Sequence, residues 1–296
     1  MANQFLMETK DLESDDCTIK IAIRRYIESH ENVLSPSTLR GYRQLERNYY
    51  DRIGNIRVSK IRNEDIQRFV DAIASDHSPK TTRNIYGLLK SALTAIQPSR
   101  VFRVQLPQKE VHTYNTPGDA DVKRLIDACD NDLKRAILLA SVGTLRRGEV
   151  CALKYGDIDG ATIHVHADMV QGLNKEWIYK TIPKTSASDR YIAFPQAVID
   201  ELGTGDPDEF IVKINPNSVT QAFKRLRNRL GIKCRFHDLR HYAASIMHAL
   251  GIPDQYIMAR GGWSSDGVLK SVYRNTLSEE SKKFSDHANS HFEGLL

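Results

Sequence analysis

The chain has 296 residues, of which 41% are hydrophobic and 27% are charged. These values are typical of a folded protein with about two domains and exclude a fibrous or fully disordered chain. The formal net charge of +5 permits a nucleic-acid partner without establishing one. No apolar run approaches the roughly 18 residues that span a bilayer, and the N-terminus has no secretory h-region. The four cysteines form no C-x-x-C pair, so we expect reduced thiols in a cytoplasmic protein.

Charge and periodicity divide the chain into four segments. Residues 1–16 form an acidic tail, which we expect to be flexible. Residues 17–98 hold 14 Lys and Arg against 8 Asp and Glu, and their apolar spacing predicts a helical domain. Residues 99–117 show no periodicity and contain Pro107 and Pro117, which indicates a linker. Residues 118–296 form a second domain that ends in a predicted C-terminal helix.

The first domain is predicted to contain four helices. The first carries its apolar face through Ile19, Ile23 and Ile27. The second starts at Ser35-Pro36 and runs to about residue 52, because a serine cap followed by proline favours a helix start. The third is predicted to be capped by Asn63, and the fourth starts at the Ser-Pro pair 78–79.

Two of these helix starts are candidate phosphate sites. They read S-P-S-T-L-R at 35–40 and S-P-K-T-T-R at 78–83. Each places hydroxyls, backbone N–H groups and an arginine at the positive end of a helix, where anions bind. Ordinary capping without a ligand is the alternative. The DNA-binding candidates of this domain are Ser35, Thr38, Arg40, Arg43, Thr81, Thr82 and Arg83.

The second domain combines helices with a few strands. Two helices are predicted before Gly143, and others over about 217–230, 238–249, 253–260, 266–274 and 278–292. The segments A-T-I-H-V-H, W-I-Y-K-T-I and R-Y-I-A-F lie within 161–194 and are typical of a small antiparallel sheet. The predicted fold class is therefore mainly α, with a small antiparallel β-sheet in the second domain.

Arg146 is the first catalytic candidate. It lies in the motif R-R-G-E, and Glu149 follows three residues later, within reach of the guanidinium. An arginine held in this way is preorganised to bind phosphate oxygens. Arg147 competes for the role, but only Arg146 has Glu149 at that spacing. A solvated surface ion pair is the alternative.

His237 and Arg240 lie three residues apart in F-H-D-L-R-H, with His241 next to them. This spacing places His237 and Arg240 on one helical face, where both could bind the same anion. A solvated basic face is the alternative. His241 is a further DNA-binding candidate.

Lys184, Trp263 and Tyr273 complete the candidate set. Lys184 lies in a polar loop between strands and could protonate a leaving oxygen, although Lys175 and Lys180 compete for the role. Trp263 follows two glycines, so its indole can donate a hydrogen bond while the ring packs. Tyr273 could act as a nucleophile if arginines stabilise its phenolate. A core aromatic residue is the alternative at both aromatic positions.

A metal-dependent reaction is not predicted. His164 and His166 form an H-V-H pair on one strand face, but a metal site needs further ligands. The sequence also lacks the carboxylate cluster of a two-metal nuclease. We therefore expect no metal and no other cofactor.

In their order, these motifs resemble those of the tyrosine recombinase, or phage integrase, family, over nearly all of residues 17–290. The resemblance implies a SAM-like core-binding domain followed by an α+β catalytic domain. It also implies catalytic roles for Arg146, Lys184, His237, Arg240, Trp263 and Tyr273, with Glu149 in support. The segment T-L-R-R-G-E departs from the usual G-L-R-I-S-E, which leaves Thr144 and Arg147 in unusual places.

The resemblance implies a site-specific recombinase that cuts and rejoins DNA through a 3′-phosphotyrosyl intermediate and integrates or excises a mobile element. Its partners would be double-stranded DNA and three further copies in a tetramer on two sites, with accessory DNA-bending or directionality factors. It would work in the bacterial cytoplasm or nucleoid, away from membranes. The alternatives are a Xer-like chromosome or plasmid dimer resolvase, a type IB topoisomerase, and a catalytically silent DNA-binding regulator.

Overall fold

The computed structural model describes residues 16–110, 115–129, 131–181 and 188–265. These residues divide into two compact units. The first contains residues 16–110 together with Gln171–Glu176, and the second contains the other described residues. Each unit has its own hydrophobic core.

Four helices build the first unit. They are α1 (Ile19–Ser29), α2 (Pro36–Tyr49), α3 (Asn63–Ala74) and α4 (Pro79–Ile96). Their apolar faces meet in a core that includes the predicted face of α1. The mainly helical fold class with small antiparallel sheets is confirmed.

The ends of these helices follow their capping residues. Ser35 and Ser78 each accept the backbone N–H of the residue three positions later, as the Ser-Pro starts predicted. The prediction that Asn63 caps α3 is wrong. The Asp65 carboxylate accepts the backbone N–H of Arg62 at 3.1 Å, so the helix already includes Asn63. The Asn63 amide oxygen instead accepts the N–H of Arg103 at 3.2 Å.

The segment after α4 packs along the helices of its own unit. Phe102 lies in the first core, and Val104 and Leu106 pack against it. The backbone N–H of Gln105 donates to the Gln67 side chain at 2.8 Å. Residues of the predicted linker therefore contribute to the helical unit as far as Leu106.

The second unit contains seven described α-helices, a short 3-10 helix (Tyr155–Asp157) and the strands apart from Gln171. The helices are α5 (Asp119–Asp127), α6 (Asn131–Gly143), α7 (Arg147–Ala152), α8 (Gln196–Leu202), α9 (Pro216–Arg229), α10 (Asp238–Ala249) and α11 (Asp254–Gly261). Within the described residues, no helix is long and apolar enough to cross a membrane.

The strands form two sheets, whereas the sequence predicted one. They are β1 (Ile158–Asp159), β2 (Thr162–Val165), β3 (Asp168–Gln171), β4 (Trp177–Lys180) and β5 (Arg190–Ala193). The order β1-β2-β5 forms one antiparallel sheet, with Ile163 opposite Ile192, whereas β3 and β4 form a separate two-stranded sheet. Strand β5 therefore pairs with β2 and not with the W-I-Y-K segment, because Ile163 and Ile192 share the buried face.

Candidate active site

Arg146 lies between α6 and α7, immediately before α7 begins. Its backbone N–H donates to Glu149 Oε2 at 2.8 Å, and its Nη1 donates to Glu149 Oε1 at 2.6 Å. The predicted contact between these two residues is therefore present. Glu149 is buried, whereas the Arg146 side chain remains 35% exposed. The guanidinium is thus fixed at one edge and open to a ligand at another.

Arg240 is held deeper, on α10. It is only 1% exposed. Its Nη1 donates to the carbonyl of Thr144 and its Nη2 to the carbonyl of Gly261, both at 2.5 Å. Burial, followed by repulsion from Arg146, lowers the pKa of Arg240. A guanidinium starts from so high a pKa that we expect the group to stay charged at neutral pH.

Three arginines donate hydrogen bonds to carbonyls at the C-terminal end of α11. Consecutive carbonyls of Arg260, Gly261 and Gly262 accept hydrogen bonds at 2.5–2.8 Å from Arg190 Nε, Arg240 Nη2 and Arg146 Nη2 respectively. The last carbonyls of a helix lack partners within the helix and carry its partial negative charge. The helix end therefore satisfies its own acceptors and orients the guanidinium groups at the same time.

Trp263 packs beneath this array. Gly262 ends α11 in the left-handed conformation, with φ of 62°, and Trp263 follows with 8% exposure. Its ring lies over Gly261, at a place that a Cβ would occupy. The guanidinium carbon of Arg240 lies 4.2 Å from the ring centroid. A cation–π contact of this kind stabilises the charged form of Arg240.

His237 precedes α10 on the same side as Arg240. The rim of its imidazole meets the ring of His241 edge-on, with centroids 5.0 Å apart. His237 is exposed, but partial burial and the charge of Arg240 lower its pKa. The neutral imidazole therefore prevails at neutral pH, and it can donate its N–H to a bound phosphate or accept a proton from a nucleophile.

His241 is placed differently from a surface DNA contact. It is 2% exposed. Burial, followed by the neighbouring His237, lowers the pKa of His241 to about 4. Its contact with DNA stays a prediction, and its burial favours a role in supporting His237.

This burial makes stability depend on pH. An unfolded histidine has a pKa near 6.5, so the unfolded chain binds the proton first as the pH falls. The stabilisation is complete above pH 6.5 and is lost as the pH falls toward 4. We expect this loss to amount to about 2–3 kcal/mol between pH 7 and 4.5 in the wild type, and to be absent from His241→Gln. Urea unfolding of both proteins across this range measures the difference, and parallel pH curves would contradict the prediction.

Arg190 and Asp168 are site residues that the sequence motifs do not predict. Arg190 is buried on β5 and donates to both Glu149 oxygens, at 3.3 and 3.0 Å. Its signal lay in R-Y-I-A, where alternation puts it on the same buried face as Ile192. A charged residue on such a face needs a partner. Asp168 on β3 carried no comparable signal. Burial, followed by the charge of Glu149, raises the pKa of Asp168 to about 6.

The unusual residues of T-L-R-R-G-E each have a local explanation. Thr144 adopts φ of 60°, which strains a β-branched residue. Its hydroxyl donates to the carbonyl of Arg260 at 2.9 Å, and its own carbonyl accepts a hydrogen bond from Arg240. Arg147 turns away from Glu149 and donates to Thr220 at 2.6 Å. A Cβ built on Gly148 would overlap the Asp168 carboxylate, so glycine lets β3 approach α7.

Two predicted catalytic residues, Lys184 and Tyr273, lie outside the described residues. The competing lysines can be located. Lys175 lies in the turn after β3, with φ of 66°, and Lys180 ends β4. The roles of all four residues stay predictions.

The DNA-binding candidates of the first unit differ in how free their side chains are. Arg40 is exposed near the start of α2, whereas Arg43 donates to Glu46 at 3.2 Å. Thr82 is buried, and its hydroxyl donates to the carbonyl of Ser78. Arg83 donates twice to the carbonyl of Pro107. The hydroxyls Ser35, Thr38 and Thr81 belong to the capping interactions of α2 and α4.

The site as described carries a surplus of positive charge. Arg146 and Arg190 donate to the buried carboxylate of Glu149, whose charge also acts on Arg240. Asp168 adds a second carboxylate near Arg146, so three arginines stand against two carboxylates. Within the described ranges, no group of three or more His, Cys, Asp or Glu residues is placed to hold a metal ion. The arrangement can therefore bind an anion and stabilise further negative charge as it develops.

Comparisons with known proteins point to one family. The family model described as "Phage integrase family" matches residues 118–280, and the model of the "Phage integrase, N-terminal SAM-like domain" matches residues 19–74. A "Tyrosine recombinase XerC-like" protein of Caldanaerobacter subterraneus is 22% identical to this chain, and the match covers 83% of this chain and 75% of the relative.

Solved structures share the fold. The Tn1549 transposon integrase in complex with a circular intermediate DNA aligns with a TM-score of 0.73 and 18% identity, over 90% of this chain and 99% of that one. A lambda integrase tetramer bound to a Holliday junction aligns with a TM-score of 0.69 and 17% identity, over 90% and 80%. The resemblance that the motifs indicated is confirmed, since the catalytic model alone covers more than half of the sequence, and the chain belongs to the phage integrase family.

Proposed function

We propose that the protein is a site-specific DNA recombinase that cuts and rejoins DNA through a 3′-phosphotyrosyl intermediate, with integration or excision of a mobile element as the outcome. The observation that carries the proposal is the convergence of Arg146 and Arg240 on adjacent carbonyls at the end of α11. The two arginines come from distant parts of the sequence, and among the described residues Glu149 is the one carboxylate that accepts a hydrogen bond from the Arg146 side chain. A scissile phosphate supplies the missing negative charge.

The reaction divides its work among these residues. The Tyr273 oxygen attacks phosphorus, and the bond to the 5′ oxygen breaks. Lys184 gives its proton to that leaving oxygen. Arg146 and Arg240 neutralise the charge of the pentacoordinate transition state, and the neutral imidazole of His237 accepts the phenol proton that Tyr273 loses. Trp263 supports Arg240 from below.

Rejoining reverses these steps. A 5′-hydroxyl of the partner DNA attacks the phosphotyrosine and releases Tyr273. Because the energy of the broken bond stays in the ester, the exchange requires neither ATP nor a metal.

The partner is double-stranded DNA, and we propose a tetramer on two DNA sites. The lambda integrase of known structure is a tetramer on a Holliday junction. Phosphate contacts from the first unit would add affinity that falls steeply with salt, with Arg40 its most exposed candidate. Accessory DNA-bending or directionality factors and a cytoplasmic location belong to the same proposal. A dimer resolvase is the second candidate, because a relative bears the name XerC-like.

The test has two stages. DNA crosslinked to the protein in cells is sequenced to obtain the site, and that site is then made as a nicked suicide duplex. We expect the protein to form a covalent adduct in EDTA and mass spectrometry to find the nucleotide on the peptide that contains Tyr273. Binding without any adduct would instead support the catalytically silent regulator.

A further inference from the structure

Arg190 is a buried arginine that cannot itself reach DNA. Its side chain is 6% exposed, and every donor it uses points into the protein. Nη1 and Nη2 donate to Glu149, Nη1 also donates to the carbonyl of Ser188 at 3.1 Å, and Nε donates to the carbonyl of Arg260 at 2.7 Å. A side chain with these contacts acts through its partners.

Glu149 is shared equally by two arginines. Its Oε1 accepts from Arg146 Nη1 and Arg190 Nη1, and its Oε2 accepts from the Arg146 backbone and Arg190 Nη2. The attraction of Arg190 and then of Arg146 holds the pKa of Glu149 below its usual value, against the effect of burial. The carboxylate is therefore ionised and fixed on both sides.

The charges of this trio decide what Arg146 can do. Without Arg190, the charge of Glu149 would neutralise that of Arg146, and a phosphate would have to compete with the carboxylate. Arg190 balances the carboxylate instead, in a part of the protein where screening by solvent is weak. The open edge of Arg146 then keeps a net positive charge for an incoming anion.

We propose that Arg190 is a positioning residue for DNA cleavage: it neutralises and immobilises Glu149, so that Arg146 is both oriented and free to stabilise charge on the scissile phosphate. This inference rests on the proposed function. It assigns no contact between Arg190 and DNA.

The test measures single-turnover adduct formation on the suicide duplex, together with the Kd for DNA. Arg190→Met should lower the cleavage rate about 10- to 100-fold, the scale seen when the support of a functional ligand is removed, and should change the Kd little. Glu149→Gln/Arg190→Met should recover most of the rate, because the neutral amide no longer competes for Arg146. Arg190→Lys, which keeps the charge without the two-pronged donor, should fall between wild type and Arg190→Met.

A neutral substrate shows whether Arg190→Met loses rate through weaker charge stabilisation or through a structural defect. A methylphosphonate at the scissile position lacks the negative charge that Arg146 is needed to stabilise, so Arg190→Met should lose far less rate on it than on the phosphate. A purely structural defect would lower both rates by the same factor. Arg135→Met is the matched control, because this arginine of the second unit contacts Asp132 and the carbonyl of Ile211 outside the cluster.

The outcomes separate the two proposals. If the wild type forms no adduct, the proposed function fails. If it does, and Arg190→Met cleaves within twofold of wild type, or if the double variant shows no recovery and both substrates lose rate equally, the role of Arg190 is wrong. If Arg190→Met does not fold, the Arg190→Lys and double variants decide by the same comparison.

Discussion

Tyr273→Phe should bind the recombination site with an unchanged Kd and form no covalent adduct, even after incubations many times longer than the wild type needs. The substitution removes one oxygen, and that oxygen is the proposed nucleophile. Among the described residues of the site, the arginines are not nucleophiles, and we expect the neutral His237 to transfer a proton and not to form the covalent link. Denaturing gels of the suicide duplex with wild type and variant measure the difference in EDTA.

A second tyrosine serves as the control for this experiment. Tyr256 is exposed on α11, so Tyr256→Phe removes a phenol oxygen from the same part of the chain and should leave adduct formation intact. An adduct that persists in Tyr273→Phe would move the nucleophile to another residue. Loss in both variants would point to a general defect.

Arg240→Met should lower the single-turnover cleavage rate by about 100- to 1,000-fold, the cost of removing one preorganised donor to a developing charge. Two opposing effects act on the stability of this variant. Methionine leaves the carbonyls of Thr144 and Gly261 without this donor, which costs about 1–3 kcal/mol for each carbonyl. It also removes a buried charge that Arg146 repels, and this offsets part of the cost.

Two measurements distinguish the loss of cleavage rate from the loss of stability. Single-turnover rates on the suicide duplex give the loss of activity, and urea unfolding gives the change in free energy. Arg227→Met is the control, since Arg227 also donates to a backbone carbonyl, that of Cys234, at 2.9 Å, and its loss should spare cleavage. A folded Arg240→Met variant that cleaves within a few-fold of wild type would remove Arg240 from the mechanism.

Local chemistry made much of this fold predictable. The Ser-Pro starts of α2 and α4 fix their helix ends through contacts three residues apart. The prediction for the start of α3 is wrong because the side chains of Asn63 and Asp65 can both accept a backbone N–H at a helix start. Only the tertiary structure shows that the Asn63 amide oxygen accepts the N–H of Arg103. Strand pairing was also beyond local reasoning, since β2 and β5 are separated by the β3–β4 hairpin.

The site shows the same division. Arg146 and Glu149 are three residues apart, so their contact could be foreseen. Arg240 meets the carbonyls of Thr144 and Gly261 only because α10, the α6–α7 junction and the end of α11 converge. Neither a motif nor the charge pattern reveals which side chains are buried. Arg40 is exposed and remains a candidate for DNA contact, whereas Thr82 is buried.

Because Gly148 and Asp168 lie close together, a substitution at one position affects which residues are tolerated at the other. A chain that acquires the serine of the usual G-L-R-I-S-E motif at 148 gains a Cβ in the space of the Asp168 carboxylate. The first change is then harmful unless residue 168 has already become smaller or β3 has shifted. The order in which the two substitutions accumulate is constrained, and we expect the pair to vary together among relatives of this chain.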